Sequence, residues 1–447
     1  MTDGLTTLAA GDGRAGVLGP YGSRLLHGWY ATGGPAGLDE HLGRYGPPPL
    51  PRTADAADRL IRAVEDAGLT GRGGAAFPTG RKLRTVAAGR GTAVVVANGM
   101  ESEPASRKDE TLLDLAPHLV LDGVALAAAA VGADVAHLCL PRTRQDQADA
   151  LREAVGERQR VGTDPFPVQV HELPHHYVSS EETSLVRWLN GGDARPLATP
   201  PRPFEKGVGR RPTLIDNVET LAHLALIARY GPGWFRGAGR PDAAGTTLVT
   251  LSGALRTPGV YEVPMGRPLG EVLDVAGGAA EPLAAVLLGG FFGSWLPVRQ
   301  ALHVPFAKQD LASLGAGPGA GVIVALPARA CGLAEAARIL GYLAAQSARQ
   351  CGPCRLGLPA VAADFADLAW GDPTAELMQR LEGRTGLLAG RGACRHPDGA
   401  SRFAATALRV FADDVRHHLS AGPCAAAGHE PLLPVPDTPA PADREWR

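Results

Sequence analysis

The sequence predicts an α/β layer built on a largely parallel sheet, then a small α+β module, then a C-terminal helical bundle. Three observations predict this order. Short apolar strands alternate with helical stretches through the first half of the chain. Near Gly245 the texture changes to closely spaced strands around a Thr257-Pro258-Gly259 turn. From Leu333 onward helical periodicity dominates. At 447 residues the chain is long enough for several cores. The expected boundaries are 21–240, 241–320 and 321–425. A flexible Gly-rich segment precedes them over 1–20, and a disordered Pro/Ala-rich tail follows over 426–447.

Each element has a local reason. Ala57, Leu60, Ile61, Val64 and Ala67 keep helical spacing, so a helix covers 54–67 and stops at Gly68. The apolar runs 93–97, 135–140 and 167–171 read as strands, separated by helices near 116–132 and 144–158, with another helix from 181. In the module, strands over 247–252 and 259–263 precede a helix over 269–276 and a strand over 284–288. Four helices follow, over 333–347, 357–369, 374–382 and 401–418.

Composition excludes several classes. A formal net charge of −2 leaves no basic excess for nucleic acid. No apolar stretch reaches the ~18 residues a membrane span needs. The start, Met-Thr-Asp-Gly-Leu-Thr-Thr, lacks a basic region and an apolar core, so no secretory signal is expected. The expected location is cytoplasmic, or peripheral to a membrane complex. There, six cysteines in so long a chain read as thiols or ligands rather than disulfides.

The most informative local feature is a loop with five glycines between Gly68 and Gly80. Gly71, Gly73 and Gly74 let the backbone approach an anion or a planar ring and turn its N–H groups toward it. Gly71-Arg-Gly73-Gly74-Ala-Ala76 fits G-x-G-x-x-A but follows a helix rather than a strand, so an ordinary dinucleotide fingerprint is a poor reading. Phe77 and Lys82 add an aromatic ring and a cation, which separates the segment from a bland glycine-rich connection. Asn98, Glu101, Ser102 and Glu103 follow the strand 93–97, where α/β sheets place ligands, although a polar turn there is common. Glu181 and Glu182 open a helix behind Ser180, and Asp216, Asn217, Glu219 and Thr220 open another. Capping and the helix dipole explain both equally well. His171-Glu-Leu-Pro-His175 spells H-E-x-x-H, but Pro174 and a strand pattern rule out zinc proteolysis. Cys351 and Cys354, with Cys394 forty residues on, have the spacing of an iron–sulfur or zinc clip. Cys139 reads as a buried small hydrophobe; Cys331 and Cys424 have no evident partner. A cradle and a thiolate clip together suggest flavin or nucleotide redox chemistry.

Taken in order, these segments resemble the flavin-carrying, NADH-oxidising subunit of respiratory complex I and its relatives in soluble hydrogenases and formate dehydrogenases. The resemblance runs from about Leu25 to His418. It rests on Gly71–Gly80, Asn98…Pro104, Glu181-Glu-Thr183, Pro212…Thr220 and Cys351-Gly-Pro-Cys354-Arg355. It implies an FMN-binding α/β domain, a ubiquitin-like module of the SLBB type and an iron–sulfur-binding four-helix bundle. It further implies FMN held by Gly71, Gly73, Gly74, Phe77, Lys82, Asn98, Ser102, Glu181, Glu182, Asn217 and Thr220. Glu103 and Glu182 would orient a nicotinamide from NADH or NADPH. Cys351, Cys354 and Cys394 would hold the cluster. A small iron–sulfur or ferredoxin-like protein, alone or within a larger redox complex, would accept the electrons.

The sequence departs from the family pattern at several sites. Ala348 stands where the clip has its first cysteine, which leaves three outcomes: a [4Fe–4S] cluster with hydroxide, His396 or Cys331 as fourth ligand, a [3Fe–4S] cluster, or no cluster. Met100 replaces an Asp, Ser180 a Gly and Asp216 an Asn. Thr199-Pro-Pro-Arg202-Pro replaces Lys-Pro-Pro-Phe-Pro, with Phe204 two residues away. Two rivals stay open on these losses: a non-catalytic scaffold subunit of a redox complex, and a zinc-stabilised binding protein.

Overall fold

A strand buried on both faces needs an unbroken apolar run, and Ala-Val-Val-Val-Ala before Asn98 supplies one. In the computed structural model, which describes residues 23–447, this run is the central strand β1 (Ala93–Asn98). The segment expected to be flexible, 1–20, lies outside the described residues. A helix α1 (Ala54–Ala67) precedes β1, capped by Thr53 and closed by left-handed Gly68. The glycine loop and helix α2 (Thr79–Ala87) come next.

After β1 the chain forms α3 (Lys108–Leu115), α4 (Pro117–Val131), β2 (Ala133–Pro141), α5 (Gln145–Arg160), β3 (Val168–Leu173), α6 (Glu182–Leu189), β4 (Thr213–Asn217) and α7 (Val218–Arg236). The four strands are parallel in the order β3-β2-β1-β4. The chain therefore winds from β1 outward through β2 and β3, then returns to the other side of β1 at β4. Such a reversal opens a crevice at the carboxyl ends of the two strands. Helices α4 and α7 pack backbone to backbone: a Cβ on Gly123 would lie 2.0 Å from the Leu221 carbonyl oxygen.

The second unit is a five-stranded mixed sheet, in the order β8-β7-β9-β5-β6, of β5 (Thr246–Gly253), β6 (Gly259–Pro264), β7 (Leu283–Leu288), β8 (Ser294–Pro297) and β9 (Val322–Pro327). Helix α8 (Leu269–Asp274) lies between β6 and β7 in sequence, and its Leu269, Val272 and Leu273 join the apolar core of this sheet. Then α9 (Gly332–Ala345), α10 (Leu358–Trp370), α11 (Ala375–Leu388) and α12 (His396–Val410) contact one another in a closed ring, with α13 (Ala412–Ala421) alongside. The single helix expected over 401–418 is thus two helices, broken at Phe411.

The tail expected to be disordered is instead packed. Glu335 accepts the Leu432 and Leu433 N–H groups, both at 3.2 Å. The Ala194 N–H donates to the Trp446 carbonyl at 2.7 Å, and Trp446 is only 1% exposed. Composition hides this because one buried aromatic and a few backbone bonds suffice to anchor a Pro-rich segment. No single described helix is long and apolar enough to cross a membrane. The consecutive pair α3–α4 is apolar but bent by 97° and belongs to the core.

Candidate functional site

Asn98 and Asn217 are register neighbours at the carboxyl ends of β1 and β4, where the strand order reverses. Asn217 also caps α7, its Oδ1 accepting the Glu219 N–H at 3.0 Å, so the amino end of α7 points into the same crevice. The glycine loop docks there through the Arg72 N–H, which donates to Thr220 Oγ1 at 2.8 Å. Its base is cinched by the Gly71 N–H on the Phe77 carbonyl (2.8 Å) and the Thr79 N–H on the Leu69 carbonyl (2.9 Å). Gly74 has φ +108°, a backbone that side chains rarely adopt. Gly80 serves packing instead: a Cβ there would meet the Glu65 backbone nitrogen at 2.8 Å. Between the loop and β5 lies a cavity of about 170 Å³, lined among others by Gly71, Arg72, Gly74, Lys108, Thr247 and Lys308.

Of the sequence-predicted residues only Gly71 and Gly74 line this cavity, and Lys82, Asn98, Ser102 and Asn217 are joined by hydrogen bonds at the strand ends beside it. The Lys82 ammonium donates to the Ile215 carbonyl at 2.6 Å and to Asp216 Oδ1 at 3.1 Å. Burial works against its charge, but the Asp216 carboxylate outweighs that and holds the ammonium pKa above its usual value. Burial raises the Asp216 carboxyl in turn, and its buried Oδ2 has no hydrogen-bond partner among the described residues. Asn98 Nδ2 donates to the Ser180 carbonyl at 3.0 Å, and the Ser102 and Ser180 hydroxyls share a 2.6 Å bond. The expected N-cap, Ser180, is thereby engaged elsewhere. Glu181 caps α6, accepting the Thr183 and Ser184 N–H groups. Glu182 pairs with Arg202 at 3.5 Å. Phe77 stays outside the cluster, 44% exposed, with the Arg81 guanidinium 5.9 Å from its ring.

Glu103 is half-buried, and its Oε2 accepts from the Tyr177 hydroxyl and from the Phe291 N–H, both at 2.8 Å. Burial pushes its carboxyl up to about 7, these two hydrogen bonds and the Ala105 N–H on Oε1 (3.3 Å) opposing only in part. Sequence reasoning passes over Tyr177 and the buried network beneath the crevice. There Lys108 pairs with Asp109 (2.6 Å) and Glu219 (2.9 Å), while Glu219 Oε1 accepts from Thr247 Oγ1 and the Leu248 N–H, both at 2.9 Å. The Lys108 ammonium is the largest influence holding the Glu219 carboxylate ionised against burial. A signal for it exists: a Lys in an acidic run seven residues after Glu101 needs buried partners. Met100 packs into an apolar cluster with Val96, Cys139 and Ile215.

The residues fit a flavin mononucleotide. The glycine backbone and Lys82 suit an anionic tail, and the orphaned Asp216 oxygen needs a donor such as a polyol hydroxyl.

The second centre is a thiol triad. Cys351 precedes a π-helical turn over Pro353–Gly357, which places Cys354 in the bundle interior. Burial raises the Cys354 thiol, with Cys351 and Cys394 adding to it. Burial pushes Cys394 up to about 11, with Glu181 and Cys351 contributing. The three sulfurs thus sense one another, and Cys394 senses the helix cap at the first site. The Arg349 and His396 backbones oppose the rise at Cys354 and Cys394 respectively. Gln350 ties this loop to α6 through Arg187 and to the Pro196 carbonyl, both at 3.0 Å. Three soft sulfurs, those of Cys351 and Cys354 at the π-helical turn and that of Cys394 ahead of α12, fit an iron–sulfur cluster. Ala348 is buried beside them at 6% exposure. His396 Nε2 donates to the Leu343 carbonyl at 2.8 Å, while its buried Nδ1 has no partner among the described residues. Cys331 is not part of the triad; it lies against His418, at 3.8 Å from Nε2.

Three stretches of the chain match known family models. Residues 64–226 match the family model of the Nuo51 FMN-binding domain, 248–290 the SLBB domain, and 334–418 the NADH-ubiquinone oxidoreductase-F iron-sulfur binding region. The chain is similar to the F 2 subunit of the NADH-quinone oxidoreductase of Rhizobium meliloti (strain 1021), 31% identical over 414 residues, covering 90% of this chain and 96% of that protein. It is also similar to the F-type subunit of the NADH-quinone oxidoreductase of Escherichia coli (strain K12), 28% identical over 413 residues, covering 85% and 89%. Among solved structures, a chain of NAD+-reducing [NiFe]-hydrogenase in the H2-reduced state superposes with a TM-score of 0.77 at 31% identity. That match covers 90% of this chain and 68% of that one.

Proposed function

The chain belongs to the family of the F-type subunit of NADH-quinone oxidoreductase, and we propose that it oxidises NADH at the crevice between β1 and β4 with the residues gathered there. It is an FMN-dependent, NADH dehydrogenase-like electron-transfer subunit with a 4Fe–4S binding region, and it works within a larger redox complex. FMN, when bound, takes up a hydride from NADH and releases single electrons, which is the chemistry the protein itself lacks.

The chain's own residues bind, orient and insulate. The Gly71, Gly73 and Gly74 backbone and Lys82 hold the phosphate end. Asn98, Asn217, Thr220 and the free oxygen of Asp216 hold the polyol, and Ser102 and Glu181 brace the wall through Ser180 and Thr183. Glu103 and Glu182 face the nicotinamide side. Arg202, paired to Glu182, supplies a guanidinium plane on which an aromatic base stacks. Phe77 forms the exposed rim. Cys351, Cys354 and Cys394 hold the cluster, with His396 Nδ1 the protein donor that stands in for the cysteine missing at Ala348. The electron acceptor is a small iron–sulfur protein docking on the bundle.

The observation that carries this reading is the pairing of Asn98 with Asn217 at the strand reversal, with the glycine loop docked on Thr220. The test is FMN reconstitution of the anaerobically purified chain, followed by NADH-to-ferricyanide turnover. Flavin uptake with turnover is expected. A chain that stays colourless after reconstitution refutes the proposal, and one that binds FMN without turnover supports the scaffold alternative.

A further inference from the structure

The bundle holds a second thiol cluster that the electron-transfer reading leaves unused. Cys331 caps α9, His418 lies on α13, and Cys424 follows the end of α13. Their two Sγ atoms and one imidazole nitrogen lie within 4.8 Å of one another. Cys331 is 3% exposed and His418 1%, with Cys424 half-buried.

The imidazole is already set up as a ligand. His418 Nδ1 lies 2.9 Å from the Leu368 carbonyl, a contact only an N–H can make. The proton is therefore on Nδ1, and Nε2 carries its lone pair. That lone pair faces the cluster: it is 3.8 Å from Cys331 Sγ and accepts the Cys424 amide proton at 3.2 Å. Burial pushes the Cys331 thiol up to about 12, with Cys424 raising it further, so Cys331 ionises readily only with a cation beside it. Cys351, Cys354 and Cys394 do not belong to this cluster.

We propose that Cys331, Cys424 and His418 Nε2 bind one zinc ion, as a structural clip separate from the iron–sulfur centre. In a tetrahedral zinc site, with Zn–S of about 2.3 Å and Zn–N of about 2.0 Å, ligand atoms stand roughly 3.6–3.8 Å apart. The observed spacing reaches that with small side-chain shifts, the ion taking the lone pair now shared with the Cys424 amide. On binding, each thiol releases one proton to solvent. Two thiolates then balance the two charges of the ion, so the filled site is neutral, as a largely buried location favours. A water takes the fourth position. Soft sulfur and imidazole donors select zinc over magnesium or calcium, and the Leu368 carbonyl orients the ring from behind. The clip joins the start of α9 to the segment that leads from α13 into the packed C-terminal tail.

The test uses the full-length chain, purified anaerobically and dialysed against zinc and then against buffer. One zinc per chain is expected. Zinc-edge X-ray absorption of the unmodified protein should show two sulfur neighbours and two nitrogen or oxygen neighbours, the imidazole and the water. Cys331→Ser and Cys424→Ser should each lose that zinc, whereas Cys354→Ser should keep it while losing iron. Added zinc should raise the thermal midpoint of the unmodified chain. Zinc-free protein after dialysis, zinc retained in both serine variants, or a thiol count revealing a Cys331–Cys424 disulfide in the anaerobic preparation would each overturn the proposal. Because the absorption measurement needs no variant, a misfolded serine variant does not blunt the test.

Discussion

The Lys82 ammonium and the Asp216 carboxylate stand 3.1 Å apart across the mouth of the β1–β4 crevice. The cation suited to an anionic tail is thus partly neutralised before any ligand arrives. A phosphate drawn to Lys82 also meets a neighbouring carboxylate, whose repulsion at about 5 Å amounts to roughly 3 kcal/mol near a protein surface before solvent screening. Asp216→Asn keeps a hydrogen-bonding amide toward the polyol while removing the charge, so it should tighten FMN about tenfold, and Lys82→Ala should weaken it by at least about as much. Quenching of flavin fluorescence on titrating the apo chain measures both. Equal affinities for Asp216→Asn and the parent would mean the phosphate lies elsewhere.

Glu103 gives the site a pH dependence whose sign follows from its surroundings. Its carboxyl is raised from 4.5 to about 7, so the native chain prefers it protonated. The stabilising contribution is then fully present below about pH 4.5 and is lost as pH rises through about 7. After allowance for partial exposure the swing should be about 1–2 kcal/mol. Glu103→Gln keeps the shape and removes the titration. The difference in urea midpoint between variant and parent should therefore move in the variant's favour between about pH 5 and about pH 8. A pH-independent difference would show that Glu103 titrates normally.

The crevice is legible in the sequence because its pieces are local patterns. A glycine run, a buried apolar strand ending in Asn98 and a helix cap at Asn217 each announce themselves within a few residues. What the sequence hides are partnerships between distant positions. Lys82 and Asp216 are 134 residues apart, and Cys331 and His418 are 87 apart, with no spacing motif to connect them. The short helix over Lys108–Leu115 is hidden for a related reason. Its Lys108, Asp109 and Glu110 look solvated in isolation, and partners from other segments make their burial tolerable: Glu219 pairs with Lys108, Asn217 donates to Asp109, Arg144 pairs with Glu110, and Glu101 accepts the Asp109 and Glu110 N–H groups.

Ala348 offers a direct test of the cluster. Its side chain is buried beside the cysteine loop, and a sulfur added there should cost about 1 kcal/mol in packing. If the triad of Cys351, Cys354 and Cys394 holds the centre, Ala348→Cys should raise iron and labile sulfide per chain and change the EPR spectrum of the reduced protein. Flavin content should stay the same. His396→Leu should lower iron in the parent but not in Ala348→Cys, because the new thiolate would make the imidazole dispensable. Identical spectra for the parent and Ala348→Cys would place the cluster away from this loop.

The C-terminal segment makes the separation of the two centres a matter of packing energy. Trp446 is buried with its ring 4.3 Å from that of His176 and the Arg195 guanidinium 4.8 Å from its centre. Its carbonyl holds Ala194, while Glu335 in the bundle holds Leu432 and Leu433. One strap thus joins the bundle to the segment that leads into Tyr177 and Glu181. Removing the indole should cost about 3 kcal/mol, as truncation of a buried aromatic does. Asp443, paired to Arg195 but 94% exposed at its side chain, should contribute little. Trp446→Ala should therefore lower the denaturant midpoint and expose the tail to carboxypeptidase, while Asp443→Asn leaves both near the parent values. Since Trp446 contacts none of the residues proposed to hold FMN, flavin content should survive the change. Electron delivery from NADH to the cluster, followed by rapid mixing, should slow as the bundle loosens from α6. If Trp446→Ala left both stability and transfer untouched, the strap would be an ornament of the surface rather than the tie between the two centres.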